Sequence, residues 1–452
     1  MSDSTLPKDG NTSASNPVSR RSFLAAAGAV AGAAGVLAAS QKAFAYGPAS
    51  NYLPGSLVKS TIKRLDKFPY ELGGVQRFRE VLNAFGNPPG YAEFKKDYPP
   101  TTMQKMQDKV PGFTLVDQAL YNAAWTSYRG APSLFSWEPL GVAKPVPQIG
   151  RWEGTPEEAN IIIKKAARIF GAADAGVART NPLWFYATVG RDKETPIEFT
   201  DQVTSPVKTP DLIQIPNSMQ SVIVLIIPMD LQMMQFTPSA LGSAAVGVGY
   251  SGMIEVASKL AEFIRGLGYQ AIPMGNDTSL SVPMAIEAGL GEQGRAGILV
   301  HPVLGTCLRI SKVLTDLPIA PDKPIRFGAQ EFCKSCKKCA RECPAGAIPM
   351  DDEYNEPIRV SNNPGPKKWY VDVWKCHCFW STNGAPCGTC QRTCPYNKPQ
   401  TWMHDLVKGM TATTSILDPV FIKLDDLMGY GTYYDPDAAA RFWKEAAWPT
   451  QG

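Results

Sequence analysis

Apolar positions are distributed unevenly along this chain. From residue 46 to about 150 they are scattered among prolines, glycines and aromatics. Few of them keep a sustained period, which predicts an irregular region that wraps or lids a larger body. From residue 151 the pattern sharpens. Thr155-Pro156-Glu157-Glu158 places a capping hydroxyl, a proline and two acids ahead of an amphipathic run, predicting a helix that ends near Gly171. Residues 221–227 are almost wholly apolar, the length of a buried strand and far short of a bilayer span. Residues 244–265 read as one long helix stopped by Gly266 and Gly268, with short strands expected at 270–273, 297–300 and 308–314. Helices alternating with strands predict an α/β (α+β) core over residues 151–328. A tail over residues 401–452, containing Gly429-Tyr430-Gly431 and tryptophans, is expected to pack back on that core.

The N-terminus has a different character. Arg20-Arg21-Ser22-Phe23-Leu24 precedes an uncharged Ala/Gly-rich stretch and then Ala43-Phe44-Ala45. A twin-arginine pair, a mildly apolar core and an Ala-x-Ala site predict an export signal over residues 1–45. The formal charge of +4 falls to about +2 without that segment, because Lys8, Arg20, Arg21 and Lys42 outnumber Asp3 and Asp9. So small a charge, evenly spread, argues against a nucleic-acid partner.

Residues 329–400 are organised by cysteine. Cys333-x2-Cys336-x2-Cys339-x3-Cys343-Pro344 is followed by Cys387-x2-Cys390-x3-Cys394-Pro395. The first run is the bacterial ferredoxin spacing, in which the fourth cysteine ligates the other cluster. On that logic Cys333, Cys336, Cys339 and Cys394 hold one 4Fe-4S cluster. Cys343, Cys387 and Cys390 hold a second, with Cys376 or Cys378 as its fourth ligand. Zinc or disulfides are the competing readings, and two such spacings each ending in Cys-Pro weigh against both. Ten cysteines in an exported chain would otherwise suggest disulfides. Export of an already folded protein removes that conflict, since clusters can be inserted in the reducing cytoplasm. Lys334, Lys337 and Lys338, between the cysteines, read as a solvated loop face.

Gly289-Leu290-Gly291-Glu292-Gln293-Gly294 spells a dinucleotide fingerprint. It follows an expected helix and leads into a strand, the reverse of a nucleotide-binding loop, so NAD is rejected. Together with the export signal and the double cysteine run, three further segments complete a likeness. They are Ala288-Gly289-Leu290-Gly291-Glu292, Thr315-Asp316-Leu317-Pro318 and Lys323-Pro324-Ile325. In combination the chain resembles the corrinoid-dependent reductive dehalogenases of organohalide-respiring anaerobes, over essentially its whole length and least between 46 and 150.

The resemblance implies a nitroreductase-like core holding a base-off corrinoid, with two 4Fe-4S clusters of a ferredoxin-like segment delivering electrons to cobalt. None of the three histidines, His301, His377 and His404, lies in an Asp-x-His-x-x-Gly motif, which agrees with base-off binding. Gly289, Gly291 and Glu292 become candidate cofactor-binding residues. Tyr250, Asn276 and Arg309 match the catalytic set. An ordinary phenol is a sluggish acid, and a neighbouring guanidinium favours the phenolate and eases the proton's departure. Trp380 matches a position lining the substrate pocket, and Trp125 and Tyr128 are placed beside it. Cys376, which follows Trp374-Lys375, is favoured as the fourth ligand of the second cluster. A small organohalide substrate is implied, a short chlorinated alkane or alkene being favoured. A small integral membrane anchor protein, an electron donor of an anaerobic respiratory chain and a peripheral place on the outer face of the cytoplasmic membrane are implied with it. The rivals are an epoxyqueuosine-reductase-like corrinoid enzyme and a non-catalytic exported iron–sulfur carrier. The export signal and the absence of a basic run speak against the first, and the large body ahead of the cysteines against the second.

Overall fold

The computed structural model describes residues 55–85, 99–431 and 435–445. The export signal expected over residues 1–45 lies outside the described residues. The described residues fall in one compact unit. At its centre stand β1 (Asp174–Arg179), β2 (Ser221–Pro228), β3 (Ala271–Met274) and β4 (Leu308–Thr315). They are ordered β1-β2-β4-β3, and every neighbouring pair is antiparallel. Alternating helices and strands thus accompany an antiparallel sheet here. Strand β2 explains its own sequence. Val222, Val224 and Ile226 enter one core and Ile223, Leu225 and Ile227 the other, so both faces are buried and no polar alternation survives.

Helix covers one face of this sheet. Helix α1 (Leu115–Ala124) belongs to the N-terminal region, which is more regular than its composition implied. Helix α2 (Pro156–Ile169) begins with a reciprocal cap: the Thr155 hydroxyl accepts the Glu158 N–H at 3.2 Å, and the Glu158 carboxylate accepts the Thr155 N–H at 2.8 Å. Helix α3 (Ala240–Gly266) starts one turn earlier than expected, because Ser239 caps the N–H of Gly242 at 3.2 Å. It is long and apolar enough to cross a membrane, yet 72% of that apolar window is buried inside the protein. It is a core helix. Met253, Ala257, Leu260 and Ile264 pack it on the sheet with Ile163 and Ala167 of α2. On the opposite face Trp184, Phe185, Met284 and Ile286 complete the second core, the last two from α4 (Ser281–Glu287).

The cysteine-rich segment begins with α5 (Ala329–Cys336) and includes α6 (Val373–Asn383); α7 (Trp402–Thr413) follows it. Lys338 corrects the sequence reading. Lys337 adopts a left-handed conformation, φ 52°. Lys338 beyond it is wholly buried and ion-paired with Asp425 instead of lying on a solvated face. The segment is stitched to the core. Asn397 Oδ1 accepts the N–H groups of Thr306 and Cys307 at 2.6 and 3.2 Å, and the Ser243 hydroxyl donates to Pro386 O at 2.8 Å. In the tail, the Trp443 indole donates to Asp117 of α1 at 2.7 Å. Asp405 of α7 accepts the N–H groups of Leu57 and Val58 at 2.8 and 3.1 Å, capping a short helix near the start of the described chain.

Candidate functional site

Helix α3 brings Tyr250 against β4. Two glycines on the same helix make the approach possible. A Cβ on Gly249 would stand 2.9 Å from Arg309 Cγ, and one on Gly247 would stand 2.8 Å from the Trp125 ring. With only hydrogen there, the Arg309 guanidinium carbon sits 4.8 Å from the Tyr250 ring centroid, a cation over a π face. Trp125 stacks on Tyr250 with centroids 4.8 Å apart and planes at 25°. Tyr128 meets the same ring edge-on at 5.0 Å. The Asn276 amide donates through Nδ2 to the Tyr250 hydroxyl oxygen at 3.1 Å. Five residues singled out in the sequence therefore form one constellation. Burial, then the nearby Tyr250, Asp277 and Glu80 charges, pushes the Tyr128 phenol above its ordinary range. Arg309 Nε is buried without a hydrogen-bond partner, a donor left over for a ligand.

The cysteines influence one another mainly within two groups, with Cys390 linking them. Burial pushes the Cys336 thiol up to about 12, with the Cys394 charge adding to it. Cys339 is driven well above the ordinary thiol range by burial, then by Cys333, Cys394, Cys390 and Cys336. In the other group burial pushes Cys376 up to about 12, reinforced by Cys387 and Cys343. Cys390 is raised well above its usual value by burial, then by Cys387, Cys376, Cys343 and Cys394. Cys378 is absent from both sets of influences; near it, the Arg359 pKa is raised by the hydrogen bond to Asp372, with Cys378 a lesser contributor. Thiols packed this way are costly as anions unless a polycation joins them, so the donor set fits two iron–sulfur clusters. Among the described residues no three His, Cys, Asp or Glu side chains converge on a single ion position. The sulfurs of a cubane each take a separate iron and need no such point.

The remaining candidates lie apart from Tyr250. A Cβ on Gly289 would come 2.4 Å from Lys323 O, and one on Gly291 would come 2.2 Å from Val300 O, so these glycines admit the chain's own backbone. Glu292 is wholly buried; its Oε2 accepts the N–H groups of Phe327 and Ala329 at 2.9 and 3.0 Å, at the start of α5. Burial pushes its carboxyl up to about 7. Trp380 packs with His377 and Phe85, centroids 5.1 and 5.9 Å away, one helical turn beyond Cys376 on α6. The histidines are engaged elsewhere. His301 lies 3.3 Å from Asp174, His377 packs with Trp380, and His404 bonds Thr401. None belongs to the Tyr250 constellation, which fits a corrinoid bound without a histidine ligand.

Two residues escaped the sequence reading, Lys312 and Ser281. Lys312 of β4 is wholly buried on the sheet face opposite Arg309. Its ammonium donates to Gly275 O, to Ser279 O at 3.3 Å and to Ser281 Oγ at 2.7 Å. The Ser281 hydroxyl donates in turn to Asn276 Oδ1 at 2.9 Å. For Lys312 the signal was present, a second cation beside Arg309 inside a largely apolar strand.

Comparison with known proteins follows the same lines. Residues 332–397 match a family model described as a 4Fe-4S double cluster binding domain. The chain is 40% identical over 332 residues to a tetrachloroethene reductive dehalogenase of Desulfitobacterium hafniense, covering 68% of this chain and 60% of that protein. It is 35% identical over 405 residues to the tetrachloroethene reductive dehalogenase of Sulfurospirillum multivorans, covering 79% of this chain and 80% of that one. The fold matches the catabolic reductive dehalogenase NpRdhA with a TM-score of 0.63 at 24% identity, over 82% of this chain and 49% of that chain. A reductive dehalogenase structure described with B12-dependent dehalogenation matches at 0.62 and 23% identity, over 82% of this chain and 49% of that one. The chain spans about 60% of the first relative's length and about half of the solved ones.

Proposed function

The chain belongs to the reductive dehalogenases, and from that membership we propose that it replaces a halogen of a small organohalide by hydrogen. The observation that carries the reading is the gathering of Tyr250, Asn276, Arg309, Trp125 and Tyr128 around one phenol. A corrinoid would supply low-valent cobalt to the carbon–halogen bond, fed with electrons by two 4Fe-4S clusters. Cleaving that bond with two electrons leaves a carbon that needs one proton and a halide that departs. Tyr250 Oη–H gives the proton. The Arg309 cation over its ring stabilises the charge left behind, and Asn276 Nδ2–H holds the phenol oxygen. Trp125 and Tyr128 form an apolar wall that keeps water from competing as proton source and suits a short chlorinated alkene or alkane. Both tetrachloroethene-named relatives support that substrate class.

Cys333, Cys336, Cys339 and Cys394 are assigned to one cluster, and Cys343, Cys376, Cys387 and Cys390 to the other. Gly289 and Gly291 are assigned to close packing against the backbone of Lys323 and Val300, Glu292 to holding the start of the cysteine-bearing helix α5, and Trp380 to covering the turn of α6 that carries Cys376. The twin-arginine leader supports export and a peripheral place on the outer face of the cytoplasmic membrane. A small integral membrane anchor and a respiratory electron donor are the partners that reading calls for.

Protein purified without oxygen should hold about eight iron and one cobalt per chain and release chloride from tetrachloroethene under a low-potential donor. Iron without cobalt, after reconstitution with corrinoid has been tried, overturns the reading. Tyr250→Phe should lower turnover by about 10² or more with metal content unchanged. Near-normal turnover would remove the phenol from the chemistry.

A further inference from the structure

Every hydrogen bond between the buried lysine and the phenol points the same way. An ammonium has three protons and no lone pair. In Lys312 they go to Gly275 O, Ser279 O and Ser281 Oγ. Ser281 Oγ, receiving one of them, turns its single proton to Asn276 Oδ1. With its oxygen so engaged, Asn276 can present only N–H to Tyr250, and the phenol oxygen accepts. The Tyr250 proton is thereby left unbound by this chain of donors. We propose that Lys312 and Ser281 are positioning residues which, through Asn276, force Tyr250 to accept from the protein and so aim its own proton at the substrate. This deepens the reading of Tyr250 as proton donor and rests on it.

The register of the sheet makes the relay possible. Lys312 pairs with Met274 at the end of β3, so its side chain emerges beside the 275–281 turn that carries Asn276 and Ser281. Asn276 could otherwise rotate its amide by a half-turn and present oxygen, and Tyr250 would then donate inward. The same hydrogen-bond chain steadies the phenolate left after proton transfer, because a cation stands at its far end.

A neutral amine has a lone pair, and with Lys312 deprotonated Ser281 could donate to Nζ and reverse the chain. Burial brings Lys312 down to about 7, opposed by the charge of Asp277. The other ionisable groups facing this region are Glu80 from the N-terminal region, Tyr128, Tyr186, Tyr250 of α3 and Arg309 across the sheet. Turnover should therefore fall as pH rises through the neutral range and Lys312 loses its proton.

The test uses the holoprotein, clusters oxidised, with tyrosines carrying ¹³C at Cζ and the Tyr250 signal assigned by its loss in Tyr250→Phe. Ser281→Ala leaves the lysine in place and cuts the chain, while Lys312→Met removes its source. Each should move the Tyr250 Cζ resonance and lower turnover roughly tenfold, about the loss of one charge-assisted hydrogen bond. The double variant should be no worse than either, and the alkaline fall in turnover should vanish in both. Should Lys312→Met not fold, Ser281→Ala carries the test alone. An unmoved resonance and unchanged pH profile in Ser281→Ala overturn the relay and leave the proton-donor reading standing. A fully active Tyr250→Phe overturns that reading and with it the catalytic purpose assigned to Lys312.

Discussion

Glu292 is wholly buried, with one carboxylate oxygen accepting the N–H groups of Phe327 and Ala329 at the start of α5. Burial raises its pKa from 4.5 to about 7. Below the lower value the carboxyl is protonated in folded and unfolded chains alike. Between the two, the folded chain keeps a proton that the unfolded chain has lost, so stability falls as pH rises through that window. Glu292→Gln should keep both accepted bonds and remove the titration. Thermal midpoints measured at several pH values should then show the natural protein losing ground to the variant between about pH 5 and 7. A parallel pair of curves would contradict this. At the same scale, Gly249→Ala should push Arg309 and Met229 aside, because its Cβ would stand 2.9 Å from each. Turnover should fall with iron content unchanged. Residues of this kind divide by legibility. Tyr250, Asn276 and Arg309 were readable through family likeness. Lys312 and Ser281 were not, because only the pairing of Lys312 with Met274 brings them to Asn276. Lys338 was misread because its partner, Asp425, lies far along the chain.

At the scale of the element, helical geometry bears on the choice between Cys376 and Cys378. Both lie on α6, and residues two apart on a helix point about 200° away from each other. Only one can face Cys343 and Cys387, and Cys376 is the one that feels their charges. Cys376→Ser should lose or convert one cluster, lowering iron by up to about four per chain, whereas Cys378→Ser should keep about eight. Iron analysis with EPR of the reduced protein decides it. Equal loss from both would reject the assignment. Thr155→Ala removes the exposed cap of α2 and should lower stability by about 1 kcal/mol with turnover untouched. Elements with strong local signals were legible: the cap of α2, the doubly buried β2 and the glycine-terminated α3. Strand β1, whose sequence is Asp-Ala-Gly-Val-Ala-Arg, carries little β preference and forms only because β2 lends it a ladder. The second four-stranded sheet, between residues 188 and 216, is built from strands as short as two residues and left no period to read.

Across the whole molecule the two cysteine groups sit in different fields. Around Cys333, Cys336, Cys339 and Cys394 lie Arg295, Lys338, Lys398 and Lys408, whereas Arg392 is the cation acting on Cys387. Buried positive charge favours the more negative, reduced cluster. The cluster held by the first group should therefore have the higher reduction potential. Lys408→Met should lower the higher of two potentials in an EPR-monitored titration and leave the other in place. A shift of the lower one would reverse the assignment. The same part of the molecule closes the chain on itself, since Asp405 caps the N–H groups of Leu57 and Val58, 348 and 347 positions away. A protein made from its N-terminus outward cannot form that contact until 348 further residues have followed Leu57 off the ribosome. Its earliest described helix must wait, uncapped, for a partner synthesised long after it. Cys394, the last of the eight cysteines assigned to the clusters, precedes Asp405 in the chain, so every one of those thiols has been made before the ring can close.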